Sequence, residues 1–206
     1  AQAAFRALGT AWPGGAERLS AWLFCHPPRA GETAAERAVM ERGRPFRIEV
    51  RDFRLEGRRW GEGPSVLLHH GWGGRASHMA AFVEPLVQAG FTALAYDAPA
   101  HGGSSGRTTC GPQISWVLQE AAEKLGGLDA VIGHSVGAAA TLMALGRGLK
   151  LRRAVLLAPP AEFRSFIRLF GDFLGLDEKA RHGMAERAAS WYGLQWSEMD
   201  VEHWRN

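Results

Sequence analysis

Five residues carry the strongest chemical signal in the chain: Gly133-His134-Ser135-Val136-Gly137. A serine hydroxyl attacks a carbonyl only when the backbone presents it on a sharp turn, with a base in reach and donors waiting for the oxyanion. The G-x-S-x-G spacing answers the first need. Small residues two before and two after the serine let a strand, a tight turn and a helix pack closely. Ala138, Ala139 and Ala140 extend the small-residue face into the following segment. At a helix N-terminus Ser135 would meet partial positive charge, which favours a developing anion. The plainer alternative is a serine N-cap at a strand-to-helix turn.

Two further glycine-rich turns lie upstream. His70-Gly71-Trp72-Gly73-Gly74 follows an apolar run. Acyl transfer needs two backbone N–H donors for the tetrahedral oxyanion. Val136, next after the serine, and Trp72, flanked by glycines that let its amide turn inward, are the candidates. A simple tight turn is the alternative here. In Asp97-Ala98-Pro99-Ala100-His101-Gly102-Gly103-Ser104, Asp97 is expected to hydrogen-bond its own turn and His101 to pack beneath the site. Buried polar side chains usually serve structure.

The elements that must position these turns are readable from periodicity. Residues 65–70, 91–96, 128–132 and 153–158 are short apolar runs, and 77–88, 112–125 and 136–146 carry helical patterns. Strands alternating with helices predict an α/β fold: a mostly parallel sheet covered by helices on both faces. All three turns then fall at the C-terminal ends of strands, where open parallel sheets bind ligands. Residues 46–60 read as one or two strands closing in Gly61-Glu62-Gly63-Pro64. Residues 3–24 predict two short amphipathic helices around a break at Pro13-Gly14-Gly15, the second ended by His26-Pro27-Pro28. Past Pro159-Pro160 the rhythm changes, with Phe163, Phe166, Phe170 and Phe173 at helical spacing and further helical patterns at 177–192 and 196–204. The expected organisation is an N-terminal helical segment (1–45), an α/β core (46–160) and a helical cap (161–206).

Composition narrows the function classes. No apolar run among the 206 residues is long enough for a membrane-spanning helix, which needs about 18 residues or more. Cys25 and Cys110 are the two cysteines, too few for a disulfide framework or a cysteine-rich zinc site, and consistent with a reducing cytoplasm. The net charge of +3 is local, since residues 29–59 hold nine Arg and six acids and the remainder is balanced. Arg47, Arg51, Arg54, Arg58 and Arg59 interleave with Glu49, Asp52 and Glu56. That pattern is a solvated strand surface, whereas nucleic acid prefers an uninterrupted basic stripe. None of Lys124, Lys150 and Lys179 stands in a phosphate-loop pattern. The sequence carries no signal for an oligomeric state.

HHGWGG (69–74), DAPAHGGSSG (97–106), GHSVGA (133–138) and LLAPP (156–160), in this order and spacing, resemble the α/β-hydrolase superfamily. More narrowly they resemble bacterial serine hydrolases with a helical cap after the strand that follows the nucleophile elbow. The resemblance covers residues 65–160, and 161–206 resembles the start of the cap. It implies a Ser–His–acid hydrolase and leaves esterase, thioesterase, lipase and carbon–carbon hydrolase activities open. The expectation is a cytoplasmic enzyme without metal or organic cofactor, acting on a small-molecule ester or thioester. Ser135 matches the nucleophile, Trp72 and Val136 the oxyanion donors, and Gly71, Gly133, His134 and Gly137 the supporting turns. Serine rather than aspartate at 135 disfavours haloalkane dehalogenase and epoxide hydrolase chemistry.

The chain departs from that family's order of Ser, then acid, then His. His182 and His203 fall in helical stretches, and Glu162, just past 153–158, is the one candidate acid. Two more strand–helix units carrying the acid and the histidine are expected beyond Asn206. The 206-residue chain by itself is expected to have little activity. Two other readings compete. Gly71-x-Gly73-x-x-Ala76 with Asp97 about 20 residues on satisfies the fingerprint of a dinucleotide-binding Rossmann-type oxidoreductase; Trp72 would crowd the phosphate, and the elbow would go unexplained. The other is a catalytically inactive binding protein on the hydrolase fold, since fold does not fix function.

Overall fold

The computed structural model describes residues 2–160 and 163–194. The chain divides into two compact units, Pro27–Pro159 and a helical unit that joins Ala1–His26 to Pro160–Asn206.

The first unit is built on a six-stranded sheet. It opens with a hairpin of β1 (Arg44–Val50) and β2 (Phe53–Trp60), so residues 46–60 form two strands rather than one. Val50 pairs with Phe53, leaving a two-residue turn in which Arg51 takes φ 51°, as tight hairpin turns of matching twist require. The remaining strands are β3 (Ser65–His69), β4 (Thr92–Tyr96), β5 (Ala130–His134) and β6 (Arg153–Leu157). The order across the sheet is β1-β2-β4-β3-β5-β6. β1 and β2 run antiparallel to their neighbours, and β3 to β6 are mutually parallel. Every residue of β4 is buried, which is why the central strands read as continuous apolar runs rather than alternating ones.

Strand periodicity sends successive side chains to opposite faces. Leu67, Leu94 and Tyr96 pack with Val117, Leu118 and Ala144 of α5 (Gly111–Lys124) and α6 (Val136–Gly146). Leu68, Ala93 and Ala95 pack on the other face with Ala76, Met79 and Val83. The single helix expected at 77–88 is instead a 3-10 helix, Ala76–Phe82, followed by α4 (Val83–Gln88). Pro85 has no N–H for the carbonyl of Ala81, so an α-helix running through this point would lose a bond. Pro85 is tolerated in the first turn of the new helix.

Residues 27–45 belong to the sheet unit and not to an N-terminal helical piece. They carry α3 (Ala34–Arg42), started by a capping box in which Glu36 N–H donates to Thr33 Oγ1 and Thr33 N–H to a Glu36 carboxylate oxygen. The Trp60 indole N–H donates to the Val39 carbonyl at 3.0 Å and ties this helix to β2. On the hairpin surface Arg47 and Arg54 share the Glu56 carboxylate at 2.8 and 3.3 Å, and Arg51 pairs with Glu120.

The helical unit contains α1 (Gln2–Ala11), α2 (Pro13–Phe24), α7 (Phe163–Leu174) and α8 (Glu178–Trp191). Pro13 opens α2, so Pro13-Gly14-Gly15 is a first helical turn and the break falls at Trp12. The Asp177 carboxylate caps α8 by accepting the Ala180 N–H at 2.8 Å. Ala21, Cys25, Ile167, Leu174, Met184 and Ala188 form this unit's core. The helix expected at 196–204 lies outside the described residues. Among the described residues no helix is long and apolar enough to cross a membrane.

Candidate active site

β5 ends at His134 and α6 begins at Val136, so Ser135 alone must reverse the chain between them. It does so with φ 53° and ψ −119°, a region that side chains other than glycine avoid at a cost of about 1–3 kcal/mol. The turn is held at both ends. Ser135 N–H donates to the Leu157 carbonyl of β6 at 2.9 Å, and the Ser135 carbonyl accepts the Ala139 N–H at 3.0 Å. The half-buried side chain is left with Oγ making no hydrogen bond to any described residue.

The flanking glycines are required by contact. A Cβ on Gly137 would lie 2.4 Å from the carbonyl oxygens of both His69 and His70. One on Gly133 would lie 2.8 Å from Ala138 Cα. These obstacles are backbone and cannot swing away. Gly137→Ala is therefore expected to lower stability by about 3 kcal/mol or more, a fall in Tm of roughly 10 °C. Thermal unfolding followed by circular dichroism checks this, and an unchanged Tm would show that α6 does not press on the end of β3 as described.

The loop after β3 is a turn closed by Gly74 N–H donating to the Gly71 carbonyl at 3.0 Å. Two histidines pin it to the loop after β4. His70 donates Nδ1–H to the Gly71 carbonyl at 2.8 Å and accepts the Ala98 N–H on Nε2 at 2.9 Å. His101 donates Nδ1–H to the Pro99 carbonyl at 2.8 Å and accepts the Gly73 N–H on Nε2 at 3.0 Å. Each ring uses one nitrogen as donor and one as acceptor, which only neutral imidazole can do. Burial pushes both down to about 4. With the Gly73 and Gly74 amides so engaged, the Gly71 and Trp72 amides are the two in the turn outside these bonds.

Asp97 completes the frame. Its carboxylate accepts the Ala76 N–H at 2.7 Å and, within its own turn, the Gly103 N–H at 2.6 Å. Gly102, at φ +45°, leaves no room for a Cβ, which would fall 2.0 Å from Asp97 Oδ2. The Arg29 guanidinium donates to the carbonyls of Gly102, Ser104 and Gly106 at 2.6, 3.2 and 3.0 Å, closing this loop from outside.

Residues 66–205 match the model of the alpha/beta hydrolase family. The chain belongs to that family. No curated protein matches it. Among solved structures it is similar to an esterase of Pyrococcus furiosus, at 21% identity and a TM-score of 0.65, covering 87% of this chain and 72% of that one. It is also similar to an epoxide hydrolase of Mycobacterium thermoresistibile, at 24% identity and a TM-score of 0.55, covering 66% and 46%. A bromoperoxidase of Bacillus anthracis is 20% identical with a TM-score of 0.54, covering 58% and 46%. The chain thus spans less than half the length of the last two. At these identities the likenesses show a shared fold.

For a member of the alpha/beta hydrolase family, the surroundings of Ser135 are a cavity of about 360 Å³. Trp72, Met79, Phe82, His134 and Leu157 line it together with Ser135 and the glycines of the loop after β3. No histidine of the sheet unit hydrogen-bonds the serine. His69, the last residue of β3, is fully sealed, and burial pushes it down to about 3. His78 touches the Gly31 carbonyl at 3.2 Å, and His134 is exposed. His182 is exposed on α8, and Glu162 and His203 lie outside the described residues.

The dinucleotide reading of Gly71, Gly73, Ala76 and Asp97 is overturned. Asp97 is 6% exposed and both its oxygens accept backbone N–H groups, so neither is open to a ribose. The segment from Ala76 is a 3-10 helix whose first N–H already points at Asp97. Sequence reasoning missed His69, His70 and Arg29. The one available signal was the His69-His70 pair at the end of a buried strand, where adjacent residues must face opposite sides.

Proposed function

We propose that the protein is a serine hydrolase that cleaves a carboxylic ester or thioester through an acyl-enzyme on Ser135. The observation that carries this reading is the strained Ser135 backbone, φ 53°, in the lining of the 360 Å³ cavity. Strain of that kind persists where the surroundings over-determine it, and it clusters at reactive residues.

In the proposed reaction Ser135 Oγ attacks the substrate carbonyl carbon while a base removes its proton. The carbonyl oxygen becomes an oxyanion held by two backbone amides. Val136 is the first residue of α6, so its N–H has no carbonyl four residues back within the helix. The Trp72 N–H, like that of Gly71, is an uncommitted amide of the facing turn, and the flanking glycines let it turn inward. Gly71 permits the close approach, since a Cβ there would come within 3.1 Å of Ser135 Cβ. Collapse of the intermediate expels the alcohol or thiol, which takes the proton from the base. Water then repeats the sequence on the acyl-enzyme. The base and its acid come from outside the sheet unit, because none of the histidines within that unit hydrogen-bonds Ser135: His69 is sealed, His70 and His101 serve backbone groups, His78 meets the Gly31 carbonyl and His134 is exposed.

A fluorophosphonate probe tests this on the full-length protein, forming a P–O bond to an activated serine and releasing fluoride. Peptide mass spectrometry is expected to place the adduct on Ser135, with p-nitrophenyl acetate hydrolysis lost in step. Hydrolysis that persists without an adduct on Ser135 overturns the assignment. The absence of any described hydrogen bond to Ser135 Oγ favours a second reading, a hydrolase-fold binding protein without activity. Neither labelling nor hydrolysis in the full-length protein would select it.

A further inference from the structure

We propose that Phe82, backed by Met79, limits the length of the acyl group at Ser135, so that the preferred substrates are esters of short, uncharged acyl groups. This rests on Ser135 being the nucleophile.

The cavity's 360 Å³ is near the lower end of small-molecule pockets, which run about 300–1,000 Å³. Met79 and Phe82 are three apart on the 3-10 helix Ala76–Phe82, where residues at that spacing eclipse one another. They therefore stand one above the other as a single wall. Met79 is buried among Leu68, Ala76 and Ala93, and Phe82 packs on the same cluster, so the wall is fixed to the sheet. Leu157 bounds the cavity from β6, and its own carbonyl holds the Ser135 N–H, which sets this side chain beside the nucleophile.

Charge points the same way. Among the described residues no Asp, Glu, Lys or Arg lines the cavity. Its titratable groups are His70, held neutral by burial, and the imidazoles of His78 and His134. A carboxylate or ammonium on the acyl group would enter without a fixed counter-charge, at a desolvation cost. Apolar methylenes gain instead, by about fourfold in kcat/KM each while they still fit.

The test is a series of p-nitrophenyl acetate, butyrate, octanoate and palmitate assayed with the full-length protein, Phe82→Ala and Phe82→Trp. Phe82 is only partly buried, so both variants are checked for folding by their Tm. The expected result is a maximum at butyrate in the unaltered protein. Phe82→Ala should raise the octanoate-to-butyrate ratio of kcat/KM at least tenfold, and Phe82→Trp should move the maximum to acetate. A maximum at octanoate or beyond in the unaltered protein overturns the proposal. So does a profile that neither variant moves, and in both cases an adduct on Ser135 would leave the hydrolase reading intact. Loss of both the adduct and ester turnover in the unaltered protein removes the two together.

Discussion

Acidification from pH 7 to pH 4 is expected to unfold the sheet unit in one steep transition. Burial pushes His69 down to about 3 and His70 and His101 to about 4, with the neighbouring imidazoles adding to it for His69 and His101. In the unfolded chain each returns to about 6.5. Between those values the unfolded chain binds three protons that the folded one does not, so stability falls as pH falls. Their contribution is complete above pH 6.5 and is lost on the way down toward pH 4. Each proton is worth about 1.4 kcal/mol per pH unit, hence about 4 kcal/mol per unit for the three. Two pH units then remove about 8 kcal/mol, which exceeds the lower part of the typical total of about 5–15 kcal/mol. The transition midpoint should lie between about pH 4 and 5.5. Urea unfolding at stepped pH values measures the slope directly. His101→Gln, which can still accept the Gly73 N–H but does not titrate, should reduce that slope by about one proton. Constant stability from pH 7 to 5 would mean that these rings are not held neutral.

Ser135→Ala carries the other large effect. On the hydrolase reading it should lower kcat by roughly 10⁴- to 10⁶-fold while leaving Tm within a degree or two. Alanine keeps the turn, and the hydroxyl makes no described hydrogen bond whose loss would weaken the fold. Ser135→Gly should be equally inactive yet more stable. Glycine accepts φ 53° without strain, a relief of about 1–3 kcal/mol, offset by about 0.5–1 kcal/mol of extra entropy lost on folding. The net gain of about 1 kcal/mol corresponds to a Tm rise of roughly 2–4 °C. Turnover retained in Ser135→Ala would remove the serine from the mechanism. A lower Tm in Ser135→Gly would show that the turn is not strained.

The nucleophile turn was readable because its requirements are local. Five consecutive residues hold the small-residue spacing, and the strand before and helix after are strongly periodic. α3 was not readable from periodicity, since none of its residues is fully buried and its inward contact is limited to the adjacent Val39 and Met40, too few for an apolar stripe. Its one signal was the capping pair Thr33 and Glu36. The two-part segment from Ala76 to Gln88 was obscured because its apolar residues satisfy a helical pattern regardless of whether Pro85 interrupts it. Asp97 shows another limit. Its position suits a ribose-binding acid and a turn-holding acid equally, and only the positions of Ala76 and Gly103 decide. His70 and Arg29 act on backbone groups up to 28 and 77 residues away, beyond any local pattern.

The sheet order has a consequence for how the protein is made. β3 lies between β4 and β5, so the strand that emerges first of the three is complete only when the last arrives. A nascent chain that has passed Tyr96 but not yet His134 holds Val66, Leu67 and Leu68 along an unpaired strand edge. At ribosomal rates of about 5–20 residues per second that interval lasts roughly 2–8 s. Chaperones that bind extended apolar segments have their opening there, and ribosomal pausing within residues 97–129 should increase the fraction of chains lost to aggregation.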